Sequence, residues 1–238
     1  MNRLIEELPY LWGGLLVTLK VTAMAWVIMV VLAFLLAVGR AYGPTAVRWL
    51  CTGVVETFRG TATLVMLFWA FYVMPQFGVT LSPMFTGVVV LGVAEACYAS
   101  EIVRGSLLSV PRGQWEAAHV LGLRGWRRMV RVILPQAVPT MVPPFGNLSI
   151  ALLKFTALLS FISVHDLTGR AQDVRYEIGQ SVLVFGFLLV IYYLLSSTIA
   201  FAFRLLEKRV MVTGRGRADM VRDRKRRGAT QRAGAEAR

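Results

Sequence analysis

The sequence predicts an all-α, polytopic membrane protein with five transmembrane helices, and three observations lead there. Of its 238 residues 56% are hydrophobic. Its apolar runs repeatedly reach the roughly 20 residues that a helix needs to cross a bilayer. Its 26 Lys and Arg, against 13 Asp and Glu, gather between those runs. A soluble domain of this size would instead show short apolar faces with a period of about 2 or 3.6. The mean hydropathy of +0.61 agrees with a chain whose solvent is mostly lipid.

The spans fall at 11–39, 57–75, 84–104, 138–162 and 181–204. The first apolar stretch, Leu11 to Val38, is too long for a signal-peptide core and is expected to remain as a span. Cytoplasmic flanks collect Lys and Arg. Arg40, Arg48 and Arg59 follow span one, and Arg104, Arg112, Arg124, Arg127, Arg128 and Arg131 follow span three, so both segments are expected inside. Pro75 to Pro83 carries no charge, and His165 to Gln180 balances Arg170 and Arg175 against Asp166, Asp173 and Glu177, so both are expected outside. Residues 1–10 then form an extracytoplasmic N-terminus, 11–206 one membrane domain, and 207–238 a cytoplasmic tail. From Arg204 to Arg238 twelve Lys or Arg meet four acidic residues with little apolar periodicity. That composition predicts disorder and attraction to anionic lipid headgroups rather than to nucleic acid.

Cys51 and Cys97 have neither CxxC spacing nor a neighbouring His. Neither zinc nor a disulfide framework is expected, and both cysteines are assigned to packing. No GxxxxGK[ST] phosphate loop occurs, so the chain is expected to carry no cofactor of its own and to be no enzyme.

The cytoplasmic segment 108–136 has its own punctuation. Pro111 and Gly113 interrupt span three, Gln114 to Leu121 is rich in good helix formers, and Gly122 sits where a left-handed cap would end a short helix. A second helix, Trp126 to Leu134, is expected to hold Arg124, Arg127, Arg128 and Arg131 at the headgroups with Met129, Val130 and Ile133 turned inward.

Glu116-Ala117-Ala118, three residues, Gly122, nine residues, Val132, then Leu134-Pro135 resembles the EAA loop of bacterial ATP-binding-cassette importer permeases. The resemblance implies a MetI-like permease fold and assigns Glu116, Ala117, Ala118, Gly122, Leu134 and Pro135 to coupling with a separate ATPase. It implies further partners: an ATPase dimer holding ATP and Mg, a second permease chain, identical or paralogous, and an extracytoplasmic solute-binding protein. The location it implies is the bacterial inner membrane. Glu56-Thr-Phe-Arg-Gly-Thr61, Tyr98-Ala-Ser-Glu-Ile-Val-Arg-Gly105, Val110-Pro-Arg-Gly-Gln114 and Asn147 through Thr156 are similar to the polar amino-acid branch. Three positions depart from that pattern, at Ala62, at Ala94-Glu95-Ala96-Cys97 and at Lys154-Phe155-Thr156-Ala157. Phe68-Trp69 and Met74-Pro-Gln-Phe-Gly78 resemble the branch that imports ectoine and hydroxyectoine, which are zwitterions.

Ionisable groups inside spans are costly unless they are paired or face water. Glu95, Lys154 and Arg59 are the candidates for the solute pathway, with Glu95 facing the cationic end of a zwitterion. The competing reading of Glu95 is a buried pair with Lys20 or Lys154, or a protonated carboxyl. Local pairs, Glu56 with Arg59 and Glu101 with Arg104, account for the remaining charges. Pro139, Pro143 and Pro144 predict a broken start to span four. Two rival functions stay open at this point. An ion-coupled secondary transporter would use the intramembrane acids, and a non-transporting membrane scaffold would use the basic tail.

Overall fold

A computed structural model describes residues 7–236, with side chains as far as Val210. The outermost N-terminal residues, 1–6, and the tail side chains on which disorder was expected lie outside the described residues. The described residues are helical and contain no strand: α1 (Leu8–Tyr42), α2 (Thr45–Gly60), α3 (Thr63–Phe77), α4 (Pro83–Leu108), α5 (Arg112–Val120), α6 (Gly125–Ile162), α7 (Leu167–Ile178) and α8 (Ser181–Glu236). The described residues form two compact units, 7–105 with 144–200 and 106–143 with 201–236.

Four helices, α1, α4, α6 and α8, are long and apolar enough to cross a membrane, and α2 with α3 makes a fifth candidate only as a bent pair. The expected span 57–75 is therefore corrected. The chain breaks at Thr61 and Ala62, both extended, and the helices on either side meet at 104°. Hydropathy runs straight through this point, but Gly60 weakens the helix and the Thr61 hydroxyl donates to Thr57 O at 2.9 Å, satisfying a terminal carbonyl. Pro75 then converts the end of α3 from a π turn (Trp69–Val73) into a 3-10 turn (Met74–Phe77), closed by Gly78 at φ +80°.

The start of span four is also corrected. α6 begins at Gly125 and continues helically past Pro135, Pro139, Pro143 and Pro144 to Ile162. A π turn at Met129–Ile133 precedes Pro135, a place where a missing N–H and a ring need extra room. The second loop helix expected at Trp126–Leu134 is thus the first part of α6. Met129 and Ile133 are buried as expected, whereas Val130 is exposed.

α4 is the most enclosed of the crossing helices, with 67% of its most apolar window buried, against 6% for α8. α8 turns Val182, Leu189, Tyr193 and Phe201 outward, as a helix facing lipid or another chain does. α1 buries one stripe, Gly14, Thr18, Val21, Ala25, Met29, Ala33 and Ala37, spaced three or four residues apart. These small residues let other backbones approach closely. A Cβ at Gly92 of α4 would lie 2.8 Å from Ile28, and one at Gly14 would lie 2.9 Å from Asp166 O and 3.0 Å from the Leu167 Cα.

α7 is fastened onto α1 at this second contact. Asp166 caps α7, its carboxylate accepting from Gly169 N at 2.9 Å, while Thr18 of α1 accepts from Leu167 N at 3.1 Å. Farther out, Arg170 donates to Tyr10 O at 2.7 Å and lies 4.6 Å from the Tyr10 ring centre, and the Tyr10 hydroxyl donates to Asp173 at 2.9 Å. The second carboxylate oxygen of Asp166 is buried with no partner. Burial raises this carboxyl from its ordinary 3.8 to about 6, and the backbone donors at Gly169 and Thr168 offset only part of that.

Two predictions follow from this joint. Gly14→Ala should destabilise the protein by about 1–3 kcal/mol, because two of the three obstructing atoms, Asp166 O and Leu167 Cα, are backbone. Thermal unfolding in nanodiscs checks it. The folded state holds the Asp166 proton more tightly than the unfolded chain, so burying this carboxyl costs stability increasingly as pH rises from about 4 to about 6. Asp166→Asn keeps a capping oxygen and removes that cost. It should match wild type below pH 4 and exceed it by up to about 3 kcal/mol above pH 6, read by unfolding across that pH range.

Candidate functional site

Within residues 106–143 the chain builds a short, exposed helix with a well-defined end. Pro111 starts α5, placed where its missing N–H costs nothing. At the far end Gly122 N donates to His119 O at 3.0 Å and Leu123 N to Ala118 O at 3.0 Å, with Gly122 at φ +75°. This is a Schellman ending, and the left-handed residue it needs is the expected glycine. α5 also packs on the π turn of α6. Arg128 stacks 5.3 Å from the Trp115 ring centre, and Gln136 Nε2 donates to Gln114 Oε1 at 3.2 Å.

The predicted coupling residues divide into two groups. Glu116, Ala117, Gly122 and Pro135 lie on the surface, and Leu134 is half-buried. Ala118 is only 2% exposed, so its small side chain serves packing within the loop. Sequence reading missed Val120 (85% exposed), Leu121 (77%) and Trp126 (69%), which make the surface around Glu116 and Ala117 apolar. Three large apolar side chains beside a soluble-length helix were the available signal.

The other unit holds a half-open cavity of about 590 Å³, lined among others by Phe58, Thr61, Met66, Trp69, Val90 and Val93. No charged side chain lines it. Of the predicted pathway residues, Glu95 lies on the opposite face of α4. Thr86, Val90 and Val93 point at the cavity, and nine residues beyond Thr86 the helix has turned through about 180°. Glu95 is 2% exposed with one oxygen unpartnered, and among the described residues it forms no ion pair, so neither the cavity contact nor the pairing with Lys20 or Lys154 is present. Lys154 is exposed.

Arg59 belongs instead to a charge cluster that sequence spacing pointed to only in part. Glu101 accepts from Arg104 Nε at 2.9 Å and Nη2 at 2.8 Å and forms a close ion pair with Arg40, while Arg59 Nη1 stands 3.8 Å away. Arg59 also lies 5.5 Å from the Tyr98 ring centre, and the Tyr98 hydroxyl donates to Arg59 O at 3.1 Å. The expected Glu101–Arg104 pair is present. Arg59 turns to Glu101 rather than to Glu56, since one carboxylate shared by three helices satisfies more charge than a surface pair.

Helices long and apolar enough to cross a membrane, with a short capped helix between two of them, define a polytopic membrane protein. Residues 29–212 match the family of binding-protein-dependent transport system inner membrane components, and the chain belongs to it. The chain is 36% identical over 203 residues to the L-cystine transport system permease TcyB of Bacillus subtilis, covering 85% of this chain and 87% of that one. It is 32% identical over 216 residues to the glutamate/aspartate import permease GltK of Escherichia coli O157:H7, covering 87% and 96%. A solved amino acid ABC transporter with histidines superimposes with a TM-score of 0.81 at 30% identity, covering 87% and 96%. The methionine transporter MetNI, in an inward-facing form, shares the fold with a TM-score of 0.71 at 24% identity. The protein is thus a multi-pass inner-membrane permease subunit of an ATP-driven importer, with an ATPase and a binding protein as partners and no hydrolytic step of its own.

Replacing Glu101 with Gln would leave three guanidiniums without their common counter-charge. Glu101→Gln should cost about 1–3 kcal/mol, below the cost of breaking a fully buried pair because the site is part-exposed. Thermal unfolding checks this, and adding Arg40→Met should recover part of the loss.

Proposed function

We propose that this chain carries a polar amino acid or related zwitterion through the inner membrane as one of two permease chains, identical or paralogous. Two ATPase subunits holding ATP and Mg drive it, and an extracytoplasmic protein delivers the solute. The observation carrying this reading is α5, a capped helix that exposes Glu116 and Ala117 among Val120, Leu121 and Trp126. The acidic side chain offers a charge-assisted acceptor, the alanine permits close approach, and the apolar residues supply area. Relatives named for cystine and for glutamate and aspartate support an amino-acid cargo. The ectoine-like segment brings Trp69 and Met74 to the cavity wall, which adds ectoine to the solutes worth testing. The basic flanks favour an N-terminus outside and a C-terminus in the cytoplasm.

Reconstituted complex should take up solute only with ATP on the α5 side, and should continue after ion gradients are collapsed. Glu116→Arg and Gly122→Leu should each lower that uptake at least tenfold while the chain still inserts. Normal uptake by both variants would remove α5 as the docking element, and uptake that dies with the gradient would restore the ion-coupled alternative.

A further inference from the structure

We propose that the buried end of the α1–α7 joint binds one desolvated monovalent cation of sodium's size, held by Asp166 and the hydroxyls of Thr18, Thr156, Thr168 and Tyr192. Such an ion is a fixed part of the fold, neither cargo nor driving force, so the permease reading above does not bear on it.

Asp166 carries a charge with nothing to match it. The residue is 1% exposed, and one carboxylate oxygen caps Gly169 N while the other has no partner among the described residues. Arg170, one turn on, is committed elsewhere, with Nη1 donating to Tyr10 O at 2.7 Å and Nε to His165 O at 3.3 Å. His165 and Asp173 are exposed, and Asp173 accepts from Tyr10. No ion pair among the described residues includes Asp166. An ionised carboxylate in this place is costly unless a positive charge offsets it. A proton does so only up to about pH 6, where this carboxyl ionises.

Oxygen atoms gather beside that carboxylate. The Tyr192 hydroxyl of α8 stands 3.0 Å from Thr168 Oγ1 of α7, and it also meets the hydroxyls of Thr156 on α6 and Thr18 on α1. Thr18 and Thr156 are fully buried, and Thr168 and Tyr192 half-buried. Four helices thus bring oxygen to one spot. Lone pairs are available there. Thr156 spends its proton on Leu153 O at 2.7 Å, and Thr168 and Tyr192 share a single hydrogen bond between two hydroxyls. Thr18 accepts from Leu167 N at 3.1 Å and keeps a second lone pair.

A ligand set made only of oxygen suits a hard cation. One carboxylate matches one positive charge, whereas a divalent ion would leave a charge unmatched in a dry site. The described residues contain no cluster of His, Cys, Asp and Glu of the kind that holds a transition metal. The bound ion ties α1, α6, α7 and α8 at one point.

Thermal unfolding of the complex in phosphatidylcholine nanodiscs at about pH 8, above the range in which Asp166 holds its proton, provides the test, with choline chloride keeping ionic strength constant. Sodium chloride should raise the midpoint saturably by about 3–6 °C, the shift for an ion at about tenfold its Kd. Asp166→Asn should abolish that rise, and sodium should narrow the stability advantage of this variant over wild type. Asp173→Asn alters an exposed carboxylate on the same helix and should keep the rise. Tyr192→Phe should weaken radiosodium binding about tenfold, which is the loss of one hydroxyl ligand. A wild-type midpoint that answers sodium no more than choline, as a buried water in the same place would give, overturns the inference. An undiminished rise in Asp166→Asn does the same. If that variant fails to fold, unchanged radiosodium affinity in Tyr192→Phe overturns it instead.

Discussion

A charge inside or beside hydrocarbon is costly unless it is paired, and in this protein the pairing is concentrated at Glu101. Its carboxylate reaches the end of α1 through Arg40, the end of α2 through Arg59 and its own helix through Arg104. Within residues 1–105 the first, second and fourth helices therefore share one electrostatic tie. Apolar packing alone could not have provided it, because lipid competes for every apolar face on equal terms. What apolar packing does provide is proximity. The small-residue stripe of α1 brings backbones within about 3 Å of where a Cβ would stand, and only then can Thr18 accept from Leu167 N.

The same economy explains the bent pair α2–α3. A straight helix through residues 57–75 would have kept hydropathy continuous and closed the space that Phe58, Met66 and Trp69 now border. The break at Thr61 and Ala62 costs two helical residues and opens a cavity whose walls come from three helices. It also leaves Arg59 near a helix end, where its backbone carbonyl is free to accept from Tyr98 and its side chain to lie over the same ring.

The loop unit follows a different logic, since water rather than lipid surrounds a segment of this composition. α5 has only nine residues, too few for stability alone. It is held by the Schellman ending at Gly122, the Arg128–Trp115 stack and burial of Ala118. The motif Glu116-Ala117-Ala118 thus contains two kinds of residue, a surface pair and a packing alanine. Spacing alone does not tell them apart, because which alanine faces inward depends on the π turn it packs against.

Much of this was legible in the sequence. The helical class, four of the five crossings and the capping glycine follow from apolar run length, charge placement and turn residues, and the permease family from the resemblance of Glu116-Ala117-Ala118 through Pro135 to the EAA loop. Burial and pairing were not legible. Glu95 looked like a pathway group because its position within a span is a sequence property, but its orientation away from the cavity depends on which helices surround α4. Arg59 looked like a local partner of Glu56, and its approach to Glu101 depends on the end of α2 lying beside Tyr98 of α4. By itself the sequence determined the helical class, the apolar lengths that suit a bilayer and the permease family. Which charges meet, and which residues line the cavity, only the tertiary structure decided, since a carboxylate's partners are set by distance in space and not along the chain.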